Sequence, residues 1–296
     1  MDGSKGLTYP RIDLKDYTLD ENLPASLPTQ HTHSASQTDL GLLEQLPLEL
    51  LQASLLQLDP RSLINFRMVN RRGCPTVDNI PQFSSITKHA QIAVRAALAI
   101  RTAPWITCKQ LHNTLCTAER RNCGDFGGYI YMLTCERGCF LCISNDKRYL
   151  PYDLTPKGFK TLRDALCDLP HMKSIPGRYS PLTKKCSRRL RLWDRESAKR
   201  SASSMEQVER TEANTFDGKS GNKLRFMAVV EVPVLDPRTG VLEQGVHCLG
   251  CKNSHTHRSQ HVRRKFNERS FQTHIDEFGP LVDDENRIGD KVHRKW

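Results

Sequence analysis

Leu43-Glu44-Gln45-Leu46-Pro47-Leu48-Glu49-Leu50-Leu51, running on through Leu55, Leu56 and Leu58 to Asp59-Pro60-Arg61-Ser62-Leu63, is the stretch on which the fold turns. Ten of the nineteen residues from Leu40 to Leu58 are leucine. The run is broken by Pro47 and followed at once by a second capped segment, so it predicts a cluster of short helices and not a membrane span. Pro47 suits a first helical turn, where a missing N–H costs nothing, and Asp59-Pro60 repeats that logic with an Asp N-cap. Leu46, Leu50 and Leu51 share one helical face; Leu63, Phe66 and Val69 share one in the next helix. A leucine set this dense and this short cannot bury every side chain internally, which predicts a partner-binding surface. The plainer alternative is a small helical core, the usual fate of a leucine stripe.

Outward from this segment, the chain of 296 residues is 38% hydrophobic and only 7% aromatic, thin material for a core. Part of it is therefore expected to be disordered or held by metal. A net charge of +11 suggests an acidic partner or a nuclear setting. Eleven cysteines, with no basic start and apolar run at the N-terminus, argue for reduced, partly metal-bound thiols and against a disulfide framework. No apolar run approaches the roughly 20 residues of a membrane helix. The expected location is the nucleus and/or the cytoplasm, without membrane contact.

The predicted class is α+β. Residues 1–39 read as a disordered leader, 40–86 as the leucine-rich helical unit and 87–183 as a helical and cysteine-rich region. Residues 184–222 read as a basic disordered linker, and 223–296 as a β-hairpin, a second cysteine knuckle and a C-terminal helix. Within these, Pro81 to Ile100 predicts one longer helix with Ile86, Ala90, Ala93, Val94 and Ala97 inward. Lys109 to Leu115 predicts a small helix, Tyr129 to Leu133 a strand after Gly127-Gly128, Thr155 to Leu169 a helix and Glu268 to Phe278 the last helix. A hairpin is expected from Leu224–Leu235 and Val241–His247 around Asp236-Pro237-Arg238-Thr239-Gly240.

Cys139-Phe140-Leu141-Cys142 and Cys248-Leu249-Gly250-Cys251 have the spacing of zinc knuckles, in which two thiolates three residues apart converge on one Zn²⁺. Neither opens a helix within a βαβ pattern, so a redox role is disfavoured. Asp125-Phe126-Gly127 lacks the other elements of a kinase site and reads as a tight turn beside the metal.

Leu46-Pro47, Glu49-Leu50-Leu51, Leu55, Leu58, Asp59, Leu63, Phe66 and Val69-Asn70-Arg71 follow the succession of an F-box, and the segment resembles that family. Val77-Asp78-Asn79-Ile80-Pro81-Gln82-Phe83, Trp105-Ile106-Thr107 and Cys123-Gly124-Asp125-Phe126-Gly127-Gly128-Tyr129-Ile130-Tyr131 resemble fungal F-box proteins in which a cysteine-rich region follows. The resemblance implies a non-catalytic substrate adaptor of an SCF (Skp/cullin/F-box) ubiquitin ligase. Residues 40–86 would hold the Skp-type adaptor, and through it a cullin, and the C-terminal region would hold an unknown protein target. It implies partner contacts at Leu46, Pro47, Leu50, Leu51, Leu55, Leu58, Leu63 and Phe66. It also implies one metal site of Cys123, Cys139 and Cys142 with Cys116 as fourth ligand and Cys135 as competitor. A second would use Cys248, Cys251 and His274, completed by His255, His257, His261 or water, because Phe278 stands where the family tends to place a cysteine. A single Cys₄ site joining the two knuckles is the alternative.

The run Lys184-Lys185, Arg188-Arg189, Arg191, Arg195, Lys199 and Arg200 feeds a rival reading, a zinc-dependent nucleic-acid-binding nuclear protein. No x₁₂-His-x₃₋₅-His spacing follows either knuckle, and Trp193 is the only aromatic in the run, so nucleic acid is the less expected partner.

Overall fold

Helices form where the leucine segment predicts them. The computed structural model describes residues 6–10, 15–24, 39–69, 71–118, 123–154, 160–201, 221–252, 260–284 and 289–294. Helix α1 is Leu48–Leu55 and α2 is Pro60–Val69. The Asp59 carboxylate accepts the N–H groups of Arg61 and Ser62 at 2.9 and 3.1 Å, the side-chain cap its position predicts. Pro47 is the N-cap of α1, one position before the predicted first turn, with φ −50° and ψ 141°. Helices α3 (Gly73–Asp78), α4 (Pro81–His89), α5 (Gln91–Ile100) and α6 (Cys108–Leu115) complete the helical layer.

The single helix expected from Pro81 to Ile100 is two, because the chain leaves helical geometry at Ala90 (φ −131°). The inward set nevertheless holds: Ile86, Ala90, Ala93, Val94 and Ala97 are all buried. They join Leu51, Leu55, Leu56 and Leu63 in one core. The start of α6 is bonded to the α1–α2 corner, with the N–H groups of Cys108 and Lys109 donating to the carbonyls of Leu58 and Leu56 at 2.9 Å each.

Three antiparallel strands, β2 (Tyr129–Tyr131), β3 (Glu136–Gly138) and β9 (Val229–Glu231), lie in the order β3-β2-β9 against these helices. Arg137 of β3 is buried and spreads its guanidinium over the carbonyls of Thr114, Leu115, Gly127, Val232 and Pro233. One side chain thus ties α6, the Gly127-Gly128 turn and the exit of β9 together. The tight turn at Gly127 packs on this Arg137 side chain, where an added Cβ would meet it at 3.2 Å, and not on a metal ligand.

Helix α7 (Phe140–Asn145) leads to β4 (Tyr152–Asp153). Of the predicted helix 155–169, residues 155–159 lie outside the described residues, α8 spans Lys160–Ala165, and the expected end at 169 is corrected because 166–169 form a turn. Strands β5 (His171–Lys173), β6 (Gly177–Tyr179), β7 (Lys184–Cys186) and β8 (Arg191–Trp193) follow, then α9 (Arg195–Ser201). The expectation of a disordered linker from 184 is therefore corrected for residues 184–201; 202–220 lie outside the described residues. Beneath the charge the stretch carries inward residues, Cys186, Leu192 and Trp193, all buried.

The expected disordered leader is also corrected where it is described. Strand β1 (Thr8–Tyr9) pairs with β12 (His247–Cys248). Leu19 is fully buried and its N–H donates to Val229 O at 2.8 Å. Asp16 accepts hydrogen bonds from Arg263 and Tyr129. The segment is a strap held by single anchors, which gives no periodic pattern to read.

Helix α10 (Lys223–Phe226) precedes β9. The hairpin expected over Leu224–Leu235 and Val241–His247 is corrected to two residues per arm, β10 (Val234–Leu235) on β11 (Leu242–Glu243), because 223–226 is helical, β9 pairs with β2 and His247 pairs with Tyr9. Asp236 accepts from Arg238 N–H and from the Thr239 hydroxyl, and Gly240 supplies φ +69°. The C-terminal part is β12, α11 (Leu249–Lys252), α12 (Glu268–Phe278) and a terminal hairpin of β13 (Leu281–Asp283) on β14 (Lys291–His293). The class is α+β, and among the described residues no helix is long and apolar enough to cross a membrane.

Candidate metal centre

The second knuckle lies where β12 turns into α11, so Cys248 ends a strand and Cys251 sits on the helix after it. Helix α12 is fixed at its start by a capping box between Asn267 and Ser270, and it brings His274 inward between Phe271 and Phe278. Strand β14 then returns the chain and delivers His293.

The four side chains are all buried and their ligand atoms converge. Cys248 Sγ lies 3.3 Å from His293 Nε2, Cys251 Sγ lies 3.4 Å from His274 Nε2 and 3.7 Å from His293 Nε2, and the two histidine Nε2 atoms are 3.1 Å apart. A tetrahedral ion with metal–sulfur bonds of about 2.3 Å and metal–nitrogen bonds of about 2.0–2.1 Å has edges of roughly 3.3–3.8 Å. The observed spacings match a Cys₂His₂ donor set closing on one small cation.

The surroundings fit as well. His293 Nδ1 sits 2.9 Å from Gly279 O, and donating that proton leaves Nε2 with its lone pair toward the other three ligands. Phe266 stacks 4.6 Å from the His274 ring, and Phe278 lies 4.8 Å away. The Cys248 thiol is held down to about 3, first by its hydrogen bond with Cys251 and then by His274 and His293, with burial opposing. Gly250 makes the knuckle compatible with β14: a Cβ there would collide with Leu281 and stand 2.9 Å from His293 Cδ2. The group could hold a metal ion.

A second group joins Cys123, Cys139 and Cys142. Cys139 is the N-cap of α7, its Sγ accepting Cys142 N–H at 3.4 Å and lying 3.8 Å from Cys123 Sγ. Hydrogen bonds with Cys123 and Cys142, together with burial, push the Cys139 thiol up strongly. Three sulfurs this close disfavour three thiolates unless a cation is shared. Cys123 is exposed, so the group opens toward solvent.

The expected ligand sets stand as follows. Cys248, Cys251 and His274 come together, and so do Cys123, Cys139 and Cys142. Cys116 does not join the latter group; its Sγ lies 3.8 Å from His112 Nε2. Its place as the C-cap of α6 takes it elsewhere, so that assignment is corrected. Cys135 is also apart, its Sγ 3.6 Å from the Thr114 hydroxyl. The two knuckles form separate groups and not one Cys₄ site. His261 stacks edge-on to Phe278 instead of completing the second group, and His255 and His257 lie outside the described residues. The ligand that sequence reasoning missed is His293. No spacing rule reaches it, because its approach depends on the terminal hairpin.

The leucine segment sorts into two classes. Leu51, Leu55 and Leu63 are buried, and Leu58 and Phe66 pack on the core. These five of the eight expected contacts are committed to the protein itself, by virtue of the same helical packing that forms α1 and α2. Leu46 and Pro47 are exposed, and Leu50 is 57% exposed. They continue a run that includes Leu42 and Leu43, with Leu48 at 58%. The turn carrying Leu42 and Leu43 is pinned toward the end of α2 by the Glu44–Arg72 ion pair of 3.1 Å. Met68 and Val69 stand exposed at that end of α2. Scans against family models, curated proteins and solved structures return no match to this chain.

Proposed function

We propose that the protein is an F-box substrate adaptor of an SCF ubiquitin ligase, a non-catalytic subunit that docks the Skp-type adaptor through its leucine segment. The carrying observation is the exposure of Leu42, Leu43, Leu46, Leu48 and Leu50 in one continuous stretch beside Met68 and Val69. That much exposed apolar surface in one short stretch calls for a partner, because it stays in water only at a cost of about 25 cal/mol per Å². The neighbouring Leu51, Leu55 and Leu63 hold the platform that presents it. Zn²⁺ is the ion that a buried Cys₂His₂ set selects, and in this reading it is structural, closing the C-terminal part of the fold on the strap. The Cys123 group holds a second ion. The target binds beyond the leucine segment, since that face is occupied.

The test is co-expression and capture with the Skp-type adaptor. The wild type should be captured stoichiometrically, through a range of salt that screens charges but not apolar burial. Leu46→Ala with Leu50→Ala should lower capture while leaving the melting curve in place, because neither side chain is in the core. Undiminished capture of a folded double variant would remove the F-box reading.

A further inference from the structure

Between His171 and Trp193 the chain carries seven Lys and Arg residues and no Asp or Glu. The structure makes this stretch an interrupted antiparallel ribbon, with β4 as a third strand on the far side of β8. Strand β5 pairs with β8, and β6 pairs with β7 nested inside them. Ser174 bridges the two ladders, its N–H donating to Leu190 O at 2.9 Å and its hydroxyl oxygen accepting Leu190 N–H at 2.8 Å.

The register places cations opposite cations. Lys173 faces Arg191 across β5–β8, and Arg178 faces Lys185 across β6–β7. Directly opposed residues have Cβ atoms about 4.5–5.5 Å apart, and like charges at that spacing are destabilising. Lys223 adds its ammonium beside the second pair, donating to Lys185 O at 3.3 Å. Among the described residues no ion pair neutralises Lys173, Arg178, Lys184, Lys185, Arg188 or Arg189. Repulsion of this kind is relieved when an anion lies across the Arg178–Lys185 pair. We infer that the outer face of the ribbon binds a carboxylate-rich segment of a protein partner. The inference rests on the adaptor reading and names the chemistry of its target.

Two features favour a polypeptide over nucleic acid. Met172, Tyr179, Cys186 and Leu192 of the ribbon are buried, so it lies flat on the body and cannot enter a groove as a free two-stranded ribbon does. Its aromatics, Tyr179 and Trp193, are both buried and give bases nothing to stack on.

Fluorescence anisotropy on the full chain tests this, with a labelled Glu/Ser peptide as the probe at low and physiological salt. The peptide should bind, more weakly as salt rises. Arg178→Glu combined with Lys185→Glu should weaken it by about tenfold or more, the loss expected when rim charges are reversed. Arg178→Glu alone should also weaken binding, yet melt no earlier than the wild type, because it turns a like-charged pair into an opposite one. That single variant separates lost binding from lost folding. A peptide that does not bind, or that binds the reversed protein equally, overturns the inference. If a duplex DNA probe is then held by the wild type and released by the reversed protein, the ribbon belongs to nucleic acid instead. Capture of the Skp-type adaptor by the same variants is scored separately, because its failure would count against the leucine surface and not against the ribbon.

Discussion

At the scale of single residues, His293 completes the Cys₂His₂ group that could hold a metal. It stands three residues from the C-terminus in a Lys-Val-His sequence with no motif around it, and only the β13–β14 pairing carries it to the knuckle. Cys248, Cys251 and His274 were legible from spacing and family resemblance; the fourth ligand depends on a hairpin too short to signal itself. His293→Ala should remove about one equivalent of bound zinc, read by mass spectrometry under native conditions, with little change at the Cys123 group. Gly250→Ala should act the same way without replacing a ligand, because its methyl would press on Leu281 and on the His293 ring. Metal content unchanged by both would mean that this cluster is not the binding site. Asp20 carries a separate pH prediction. Burial, partly offset by the Thr18 hydroxyl bond, raises its carboxyl from 3.8 to about 6. A folded value above the unfolded one gives stability that is full below about pH 4 and lost as pH rises through about 6. Asp20→Asn should therefore raise the melting temperature at neutral pH, by the equivalent of at most about 3 kcal/mol, and change nothing near pH 4.

At the scale of elements, burial divides the leucine segment more sharply than periodicity can. A helical period shows which residues share a face, but α1 turns Leu51 and Leu55 to the core and leaves Leu48 and Leu50 of its first turn uncovered. Leu55→Ala should cost about 2–5 kcal/mol in a denaturant titration, the usual result of emptying a buried leucine site. Leu48→Ala should stay within about 0.5 kcal/mol, because an exposed side chain leaves no cavity. Equal losses would show that the first turn of α1 is packed. The other elements were legible in proportion to their local signals. Helix α12 has the predicted bounds, helped by the Asn267 cap, and the β10–β11 turn follows from Asp236 and Gly240. The ribbon β5–β8 was hidden because its inward residues alternate with so many charges that the stretch reads as solvated linker. The break at Ala90 has no Gly or Pro to announce it.

At the scale of the whole molecule, the first and last parts of the chain close on each other around the metal centre. Thr8 pairs with Cys248 and Tyr9 with His247, and Leu249 N–H donates to Leu7 O at 3.0 Å. Strand β1 has only two residues, far too short to persist alone, so its order depends on β12 being held in place. The knuckle in turn has a small apolar cluster, Cys248, Cys251, Phe266 and Phe271, of which half are the ligands themselves. Removing the ion should therefore release two segments that are distant in sequence as one cooperative unit, because neither has a core of its own to fall back on. The helical layer is different: Leu63, Ile86, Ala97 and Leu111 are fully buried without help from either cysteine group. Hydrogen exchange before and after chelation separates these cases. The amides of Tyr9, His247 and Leu249, which face across the β1–β12 ladder, should lose protection together, while those of α5 keep theirs. If chelation instead unprotects α5 to the same degree, the metal supports the entire fold. If Tyr9 stays protected while Leu249 exchanges, the strap is held by its other anchors, Asp16, Leu19 and Asn22 among them, and the closure of these two segments through the candidate metal site is wrong.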